Sequence, residues 1–415
     1  MRDTRLTTTD AFFVAYQEKS GILMHFGVEV ELAAPPSRTS VDRAIASTLT
    51  RWPFLAQTLA ARALAGLRWT GAARPVLHTG THDDVMQFRN TAIDPFREPP
   101  FGVLWSGNTL AFRCHHAAAD GELFIEIVRH FLAALAEKIE IAAAPGSRAH
   151  PLSLRSLRKQ ARVRPSMRYA KWLATEAKAG RSLRLHLARS APGPIAMCER
   201  TIDRGERDNL FERARDERVS PAWLIAAAWM QALHAWSLRT NDSTTPLVSL
   251  EVPVSLRRRG EDLAGNALAV TTLFGDARRP VEDLARGLLK DYAGHIKRHD
   301  HLAVPLLSAP ARLLPWPIFK RVAVTTTSTG FATSHFTWVD HAPEGLSIER
   351  RHLYTPVCQH MGAALCVLAS RDGLQLSITH RTNGVSAADA STLADLLLER
   401  LAARDMDSRQ QVQQV

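Results

Sequence analysis

Cysteine is scarce: Cys114, Cys198, Cys358 and Cys366 are the only four in 415 residues, and none forms a CxxC pair. A chain of this length needs no disulfide framework, and the pattern suits a reducing compartment with free thiols. His352, Cys358, His360 and Cys366 lie near one another in sequence but match no zinc ribbon or finger spacing. Buried thiols and ordinary histidines are expected there, with no metal. Long apolar runs are also missing. Nothing reaches the roughly 18 residues needed to span a bilayer, and the densest stretch, PAWLIAAAWMQALHAW (221–236), is broken by Gln231 and His234. It reads as a buried helix. The opening MRDTRLTTTDAFF has no apolar signal-peptide core. Together these absences predict a soluble, cytoplasmic protein, peripheral to a membrane at most.

Acidic residues are nearly absent from one segment. Residues 147–190 hold twelve Lys and Arg against Glu176 alone, and the whole chain has a formal charge of +11. Such a block is either a solvated basic face or a surface that attracts anions: phosphates, an acidic carrier protein or an anionic membrane surface. No aromatics interleave it beyond Tyr169 and Trp172, and no nucleic-acid motif accompanies it, so nucleic acid is not expected.

What is present is an ordinary globular composition, 46% hydrophobic and 22% charged, with length for two lobes. LMHFGVEVEL (23–32) alternates as a strand does. The helix VDRAIASTLTRW (41–52) should be capped by Thr39 or Ser40 and ended by Pro53. GLRWTGAARPVLHTG (66–80) suggests a hairpin, and LAFRCH (110–115) a strand. A helix from about Gly121 to Ile139 carries Leu123, Ile127, His130, Phe131 and Leu135 on one stripe. The basic block then forms the most plausible linker. The boundaries expected are an N-terminal lobe 1–146, a basic crossover 147–190 and a C-terminal lobe 191–415. In the second lobe Ser220-Pro221 opens the buried helix, and PLVSLEVPVSL (246–256) reads as a strand. PVEDLARGLLKDYAGHIKRH (280–299) is an amphipathic helix, GAALCVLASRDGLQLSITH (362–380) a hairpin, and SAADASTLADLLLERLAA (386–403) a capped helix. HLAVPLLSAPARLLPWPIF (301–319) is apolar, but its four prolines forbid a regular helix. It lines a hydrophobic tunnel, forms a lid or is an irregular packed connection.

The stretch FRCHHAAADG (112–121) sets two histidines and an aspartate on the turn between a strand and a helix. Histidine is the side chain that exchanges a proton near neutrality. Strand neighbours face opposite ways, so one of His115 and His116 can meet a substrate while the other packs. Asp120 stands where it can cap the helix, pair with an arginine or orient a histidine. Gly121 permits a backbone shape or a close approach that a side chain would block. Cys114 reads as a buried thiol.

The seven residues His115-His116-Ala117-Ala118-Ala119-Asp120-Gly121 match HHxxxDG. This resembles the signature of the CoA-dependent acyltransferase superfamily, which includes chloramphenicol acetyltransferase-like enzymes, peptide-synthetase condensation domains and the wax ester synthase/diacylglycerol acyltransferase family. Residues 7–32, with Asp10, Phe12, Met24, His25 and Gly27, look like the opening of the wax ester synthase branch. DPFREPPFGVLW (94–105) is similar to the segment that precedes the histidines in condensation domains. VPVSLRRRGEDLAGN (252–266) resembles the second-half strand with its Gly265-Asn266, and TSTG (327–330) stands where that branch has Ser-Asn and a glycine. At branch level the chain departs at Pro100-Phe101-Gly102, Pro221-Ala222 and Thr329.

The resemblance implies an α/β (α+β) fold of two chloramphenicol acetyltransferase-like lobes in a V. A tunnel would run between them past His116, and a segment within about 325–350 would cross to the first lobe. It implies an acyltransferase moving an acyl group from a thioester, on coenzyme A or an acyl carrier protein, to a hydroxyl or amine. His116 would be the general base, with no acyl-enzyme and no cofactor beyond the co-substrate. The missing GxSxG elbow agrees. His115, Asp120 and Gly121 would hold the motif, Asp120 through an arginine. Asn266 and Ser328 either line the site and its oxyanion region or serve backbone turns. The alternatives are a free-standing condensation enzyme joining carrier-bound groups in natural-product biosynthesis, or a non-catalytic relative that binds an acyl chain or carrier protein.

Overall fold

The first half alternates short strands with helices whose apolar sides share one core. In order it runs α1 (Thr8–Ser20), β1 (His25–Leu32), α2 (Arg38–Arg51), β2 (Thr58–Ala60), β3 (Arg68–Thr70), β4 (Leu77–Thr79), α3 (His82–Asn90), β5 (Phe101–Ser106), β6 (Thr109–His115) and α4 (Gly121–Leu135). Then come α5 (Leu154–Gln160) and α6 (Val163–Ala179), within the basic block. The rest is β7 (Ile195–Asp203), α7 (Arg204–Asp216), α8 (Pro221–Arg239), β8 (Leu247–Ser255), β9 (Leu268–Asp276), α9 (Val281–Arg298), α10 (Ala303–Ser308), α11 (Trp316–Thr325), β10 (Ala332–Trp338), β11 (Ile348–Tyr354), β12 (Ala363–Ala369), β13 (Gly373–Arg381) and α12 (Ala387–Ala402). This computed structural model describes residues 5–60, 67–71, 73–138, 152, 154–160, 162–179, 183, 193–240, 245–257, 265–325, 332–338, 343, 345–358 and 363–403.

The described strands form a five-stranded sheet in the order β11-β1-β6-β5-β4, a six-stranded sheet β7-β13-β12-β10-β8-β9, and the pair β2-β3. The architecture is mixed α/β. β11 comes from the C-terminal half yet pairs antiparallel with β1, Gly27 opposite Tyr354. The crossing segment is therefore 348–354, which overlaps the end of the expected 325–350 and runs four residues past it. Tyr354 lies so close over Gly27 that a Cβ there would fall 2.2 Å from its ring, which requires glycine at that crossing.

Each sheet has a core. One joins Phe26, Val28, Val30, Phe112 and Cys114 to the buried stripe of α4 and to α2. The other centres on α8, where Trp229 is fully buried against α9, α12 and the second sheet. β12 serves both, sending Leu365 and Val367 to one core and Cys366 and Leu368 to the other. A strand covered on both faces needs an unbroken apolar run, as AALCVLA is. The expected β12–β13 hairpin is present, Leu365 opposite Ile378. α12 starts on a capping box of Ser386 and Asp389.

Several local expectations need correction. The cap of α2 is Ser37, whose Oγ accepts from Ser40 N at 3.1 Å; the extended backbone after Pro36 lets the helix begin at Arg38. The hairpin at 66–80 does not form. β3 pairs with β2, and β4 lies parallel to β5. Pro75 lacks a donor, and Arg74 N is already held by Ala56 O at 2.9 Å, so the chain turns away between the two strands. α4 ends at Leu135, short of Ile139. Residues 301–319 break into 3-10 turns and short helices, as the prolines require. α6 is docked along α10, with Tyr169 buried and its hydroxyl 3.3 Å from Thr271 Oγ1.

Candidate functional site

The histidine pair stands where β6 runs out. His115 N donates to Pro100 O on β5's approach, and His116 N to Met24 O before β1, each at 2.7 Å. The two rings therefore leave on opposite sides. His115 is wholly buried beside His25. Its Nδ1 accepts from Ala117 N at 3.1 Å, so the neutral ring carries its proton on Nε2. Burial, with His25 and then His116 adding, drives its pKa down to about 3. Burial and then the Arg113 charge lower that of His25 to about 4, against the hydrogen bond that its Nε2 donates to Arg89 O. Both stay neutral at working pH and serve packing.

His116 is only partly buried. Its ring stacks on Phe13 of α1 at 3.9 Å and 9° and meets the edge of Phe26 at 5.0 Å. Its Nδ1 is buried and has no hydrogen-bond partner. Burial lowers its pKa below the ordinary histidine value, while its own carbonyl, Asp120, Asn266 and Asp10 pull the other way. The outcome is a neutral imidazole at pH 7 in a fixed orientation, able to accept a proton.

The turn after His116 is gripped by the second half of the chain. Asp120 combines two of its anticipated roles: its Oδ1 caps α4 by accepting from Leu123 N at 2.9 Å, and it pairs with Arg257 at 2.9 Å. Ala267 N adds a further bond to Asp120 at 2.8 Å. Arg257 also reaches Gly265 O at 2.6 Å. Gly265 N donates to Ala118 O, and Ala119 and Gly265 form a parallel bridge. Gly265 has φ +79, and a Cβ on it would lie 3.1 Å from Asp10 Oδ2. Asn266 is fully buried. Its N and Nδ2 donate to Asp10 Oδ1 at 2.9 and 2.7 Å, and its Nδ2 also donates to His116 O. It thus holds the histidine's backbone. Asp10 Oδ2 in turn takes Thr7 N and Thr7 Oγ1, both at 2.7 Å, in the capping box of α1.

The structure thus brings His116, His115, Asp120 and Asn266 together. Gly121 sits at the first position of α4, exposed, with open space where a Cβ would go and no positive φ. The expectation that it answers a backbone constraint is therefore corrected. Ser328 lies outside the described residues. Cys114 is buried, and burial raises its thiol pKa far above normal. Thr7, Asp10, Phe13 and Arg257 were not singled out as site residues. The first two were legible as the T-x-x-D capping box in TTTD, and Arg257 belongs to the arginine run just before Gly265-Asn266.

A cavity of about 850 Å³ opens between β11 and the β7–β13 edge, lined in part by Glu199, Arg351, His352 and Gln375. His352 Nδ1 pairs with Glu199 at 2.5 Å, which raises the histidine's pKa. None of the motif residues lines this cavity.

No family model matches the chain, and no curated protein matches it by sequence. Solved structures match it over nearly its full length. The first condensation domain of the calcium-dependent antibiotic synthetase aligns with TM-score 0.71 at 14% identity, over 97% of this chain and 96% of that one. Trichothecene 15-O-acetyltransferase from Fusarium sporotrichioides aligns with TM-score 0.71 at 11% identity, over 96% and 94%. The X-domain from teicoplanin biosynthesis aligns with TM-score 0.61 at 16% identity, over 97% and 94%. At these identities the likeness is one of architecture: the chain has the mixed α/β fold shared by condensation domains and chloramphenicol acetyltransferase-like acyltransferases.

Proposed function

We propose that the protein is an acyltransferase that carries an acyl group from a thioester to a hydroxyl or amine, with His116 as general base. The observation that carries this reading is the state of His116: a neutral imidazole at a strand end, clamped by Phe13 and Phe26 and held through its carbonyl by Asn266. The acceptor's proton passes to the ring as its oxygen or nitrogen bonds to the thioester carbonyl carbon. The tetrahedral oxyanion then collapses, the C–S bond breaks, and the thiolate leaves and recovers the proton from His116. Holding both substrates in one site contributes through proximity. Asp120 holds the turn and takes no proton.

The donor is an anionic acyl thioester, coenzyme A- or carrier-linked, which the basic residues of the chain favour electrostatically. A tunnel past His116, and lobes bounded at 146 and 191, belong to this reading. The second reading, a free-standing condensation enzyme of natural-product biosynthesis, draws support from the condensation-domain architecture.

The test is free-thiol release over acyl-CoAs of graded length, with a mixed alcohol and amine panel and mass spectrometry of products. Turnover should fall by about three orders of magnitude in His116→Ala, the middle of the range for loss of a general base. Transfer at the wild-type rate in that variant would overturn the assignment. Activity only with carrier-loaded acyl groups would select the condensation reading.

A further inference from the structure

Exposed apolar side chains concentrate in two adjoining stretches of the chain. Eleven large hydrophobic residues are exposed among the described residues, and eight of them belong to α6 or to the 301–325 segment. They include Val163 and Met167 one turn apart on α6, Val304 on α10, Leu313, and Ile318 and Val322 one turn apart on α11. Leu313 is the most exposed of the eleven, at 66%. The elements adjoin, since α6 packs along α10 and α10 leads through a 3-10 turn into α11. α6 has its own buried side in Ser166 and Tyr169, on which Trp172 also packs, so Val163 and Met167 are its outer apolar residues.

The exposed charge here is almost all positive. Arg164, Arg168 and Lys171 on α6, with Arg312 and Arg321 beyond α10, are all exposed. Residues 301–325 contain no Asp or Glu, and α6 has only Glu176. Among the described residues no ion pair engages these five cations. A protein partner generally meets an apolar, aromatic-rich core ringed by a polar rim. Aliphatic side chains interleaved with cations and stripped of acids fit instead the boundary of an anionic bilayer, where apolar groups enter the acyl region and Lys and Arg meet phosphates.

We propose that α6, α10 and α11 form a surface that docks the protein on an anionic lipid bilayer. Beneath it, α11 packs on α1 with Phe319 buried and Lys320 paired to Glu18 at 2.9 Å. α1 also carries Phe13, the ring stacked on His116. Docking would therefore lay the α1 side of the site toward lipid, so that a lipophilic acyl donor or acceptor is drawn from the membrane. That use rests on the acyl-transfer reading; the docking surface itself does not.

The test is co-sedimentation of the purified full chain with sucrose-loaded vesicles of phosphatidylcholine containing one quarter phosphatidylglycerol, against phosphatidylcholine alone. Binding should require the anionic lipid and weaken in high salt. Leu313→Glu with Ile318→Glu, both exposed, should reduce the partition coefficient by roughly tenfold or more with an unchanged melting temperature. Arg168→Glu with Lys171→Glu should do the same, whereas the charge-matched Arg204→Glu with Arg215→Glu on α7 should lose far less. Equal losses from both charge pairs would show non-specific attraction and overturn the proposal. So would absence of vesicle binding, or a wild-type dimer that Leu313→Glu with Ile318→Glu turns to monomer without vesicle binding. Capture of an acidic carrier protein by the same face, without vesicle binding, would equally overturn it. His116→Ala should bind vesicles as the wild type does, which keeps this outcome separate from that of the acyl-transfer assay.

Discussion

His116 is held at two levels, its ring by aromatic contact and its backbone by Asn266. Its proton affinity reflects a contest between burial, which lowers it, and nearby carboxylates, which raise it. The base must be neutral to act, so the acidic limb of the kcat/KM profile should fall below the ordinary histidine value of about 6.5. Asp10 offers a way to move that limb. Its charge favours the imidazolium, so Asp10→Asn should shift the limb to lower pH while sparing much of the capping box. A limb unmoved in pH-rate profiles or in an NMR titration of His116 would mean that Asp10 acts through geometry alone. Gly121 gives the opposite kind of test. With open space at its Cβ position and helical backbone, Gly121→Ala should not lower the melting temperature, and helix propensity favours it by up to about 1 kcal/mol. Lost turnover in a variant that melts no lower would mean that substrate occupies that space.

Elements with strong local signals were readable from sequence, and those decided by distant partners were not. α8 is buried on nearly every side, which an all-round apolar run with Ser220-Pro221 at its start announces. Trp229→Ala there should cost about 3–5 kcal/mol in denaturant unfolding, against about 1 kcal/mol for loss of the α12 cap in Ser386→Ala. A Trp229 variant as mild as the cap variant would deny that α8 is the centre of its core. β12 and β13 were legible because the Arg371-Asp372-Gly373 turn and two apolar strands coincide. β4 was misjudged because its partner, β5, is more than twenty residues away, and nothing in RPVLHTG distinguishes a parallel edge from a hairpin arm. The site divided in the same way. HHAAADG is continuous and readable. The residues that grip it, Asp10 on one side and Arg257 and Asn266 on the other, arrive from two distant stretches that only folding assembles. Asn266 was anticipated through resemblance, Arg257 only as an unnamed partner of Asp120, and Asp10 not as a site residue.

At the scale of the whole molecule, the motif turn is one of the places where the two halves are fastened, beside the β1–β11 pairing. Asp120 and Arg257 are 137 residues apart in sequence and meet with side chains 5% and 2% exposed, and the Ala119–Gly265 bridge runs alongside. A buried pair of this kind is worth little against a well-packed apolar replacement, yet removing one partner strands the other charge. Asp120→Ala should therefore cost about 3–5 kcal/mol, part of which Arg257→Met should restore in the double variant. If the single and double variants unfolded alike, the pair would not be a coupled clamp. Acid should weaken the same region by another route. His25 and His115 are buried neutral, with pKa values lowered to about 4 and about 3. The unfolded chain protonates its histidines near 6.5, so below that pH it binds more protons than the folded state. Stability is then full above about pH 6.5 and declines as pH falls toward 4 and 3, by up to about 1.4 kcal/mol per pH unit for each histidine. Replacing His25 with Gln removes one titrating group, so the slope of unfolding free energy against pH between about 6 and 4 should drop by about that amount. An unchanged slope would show that His25 is already charged in the folded state. The β1–β6 pairing would then hold a buried cation beside Arg113, the arrangement that its burial and the Arg113 charge argue against.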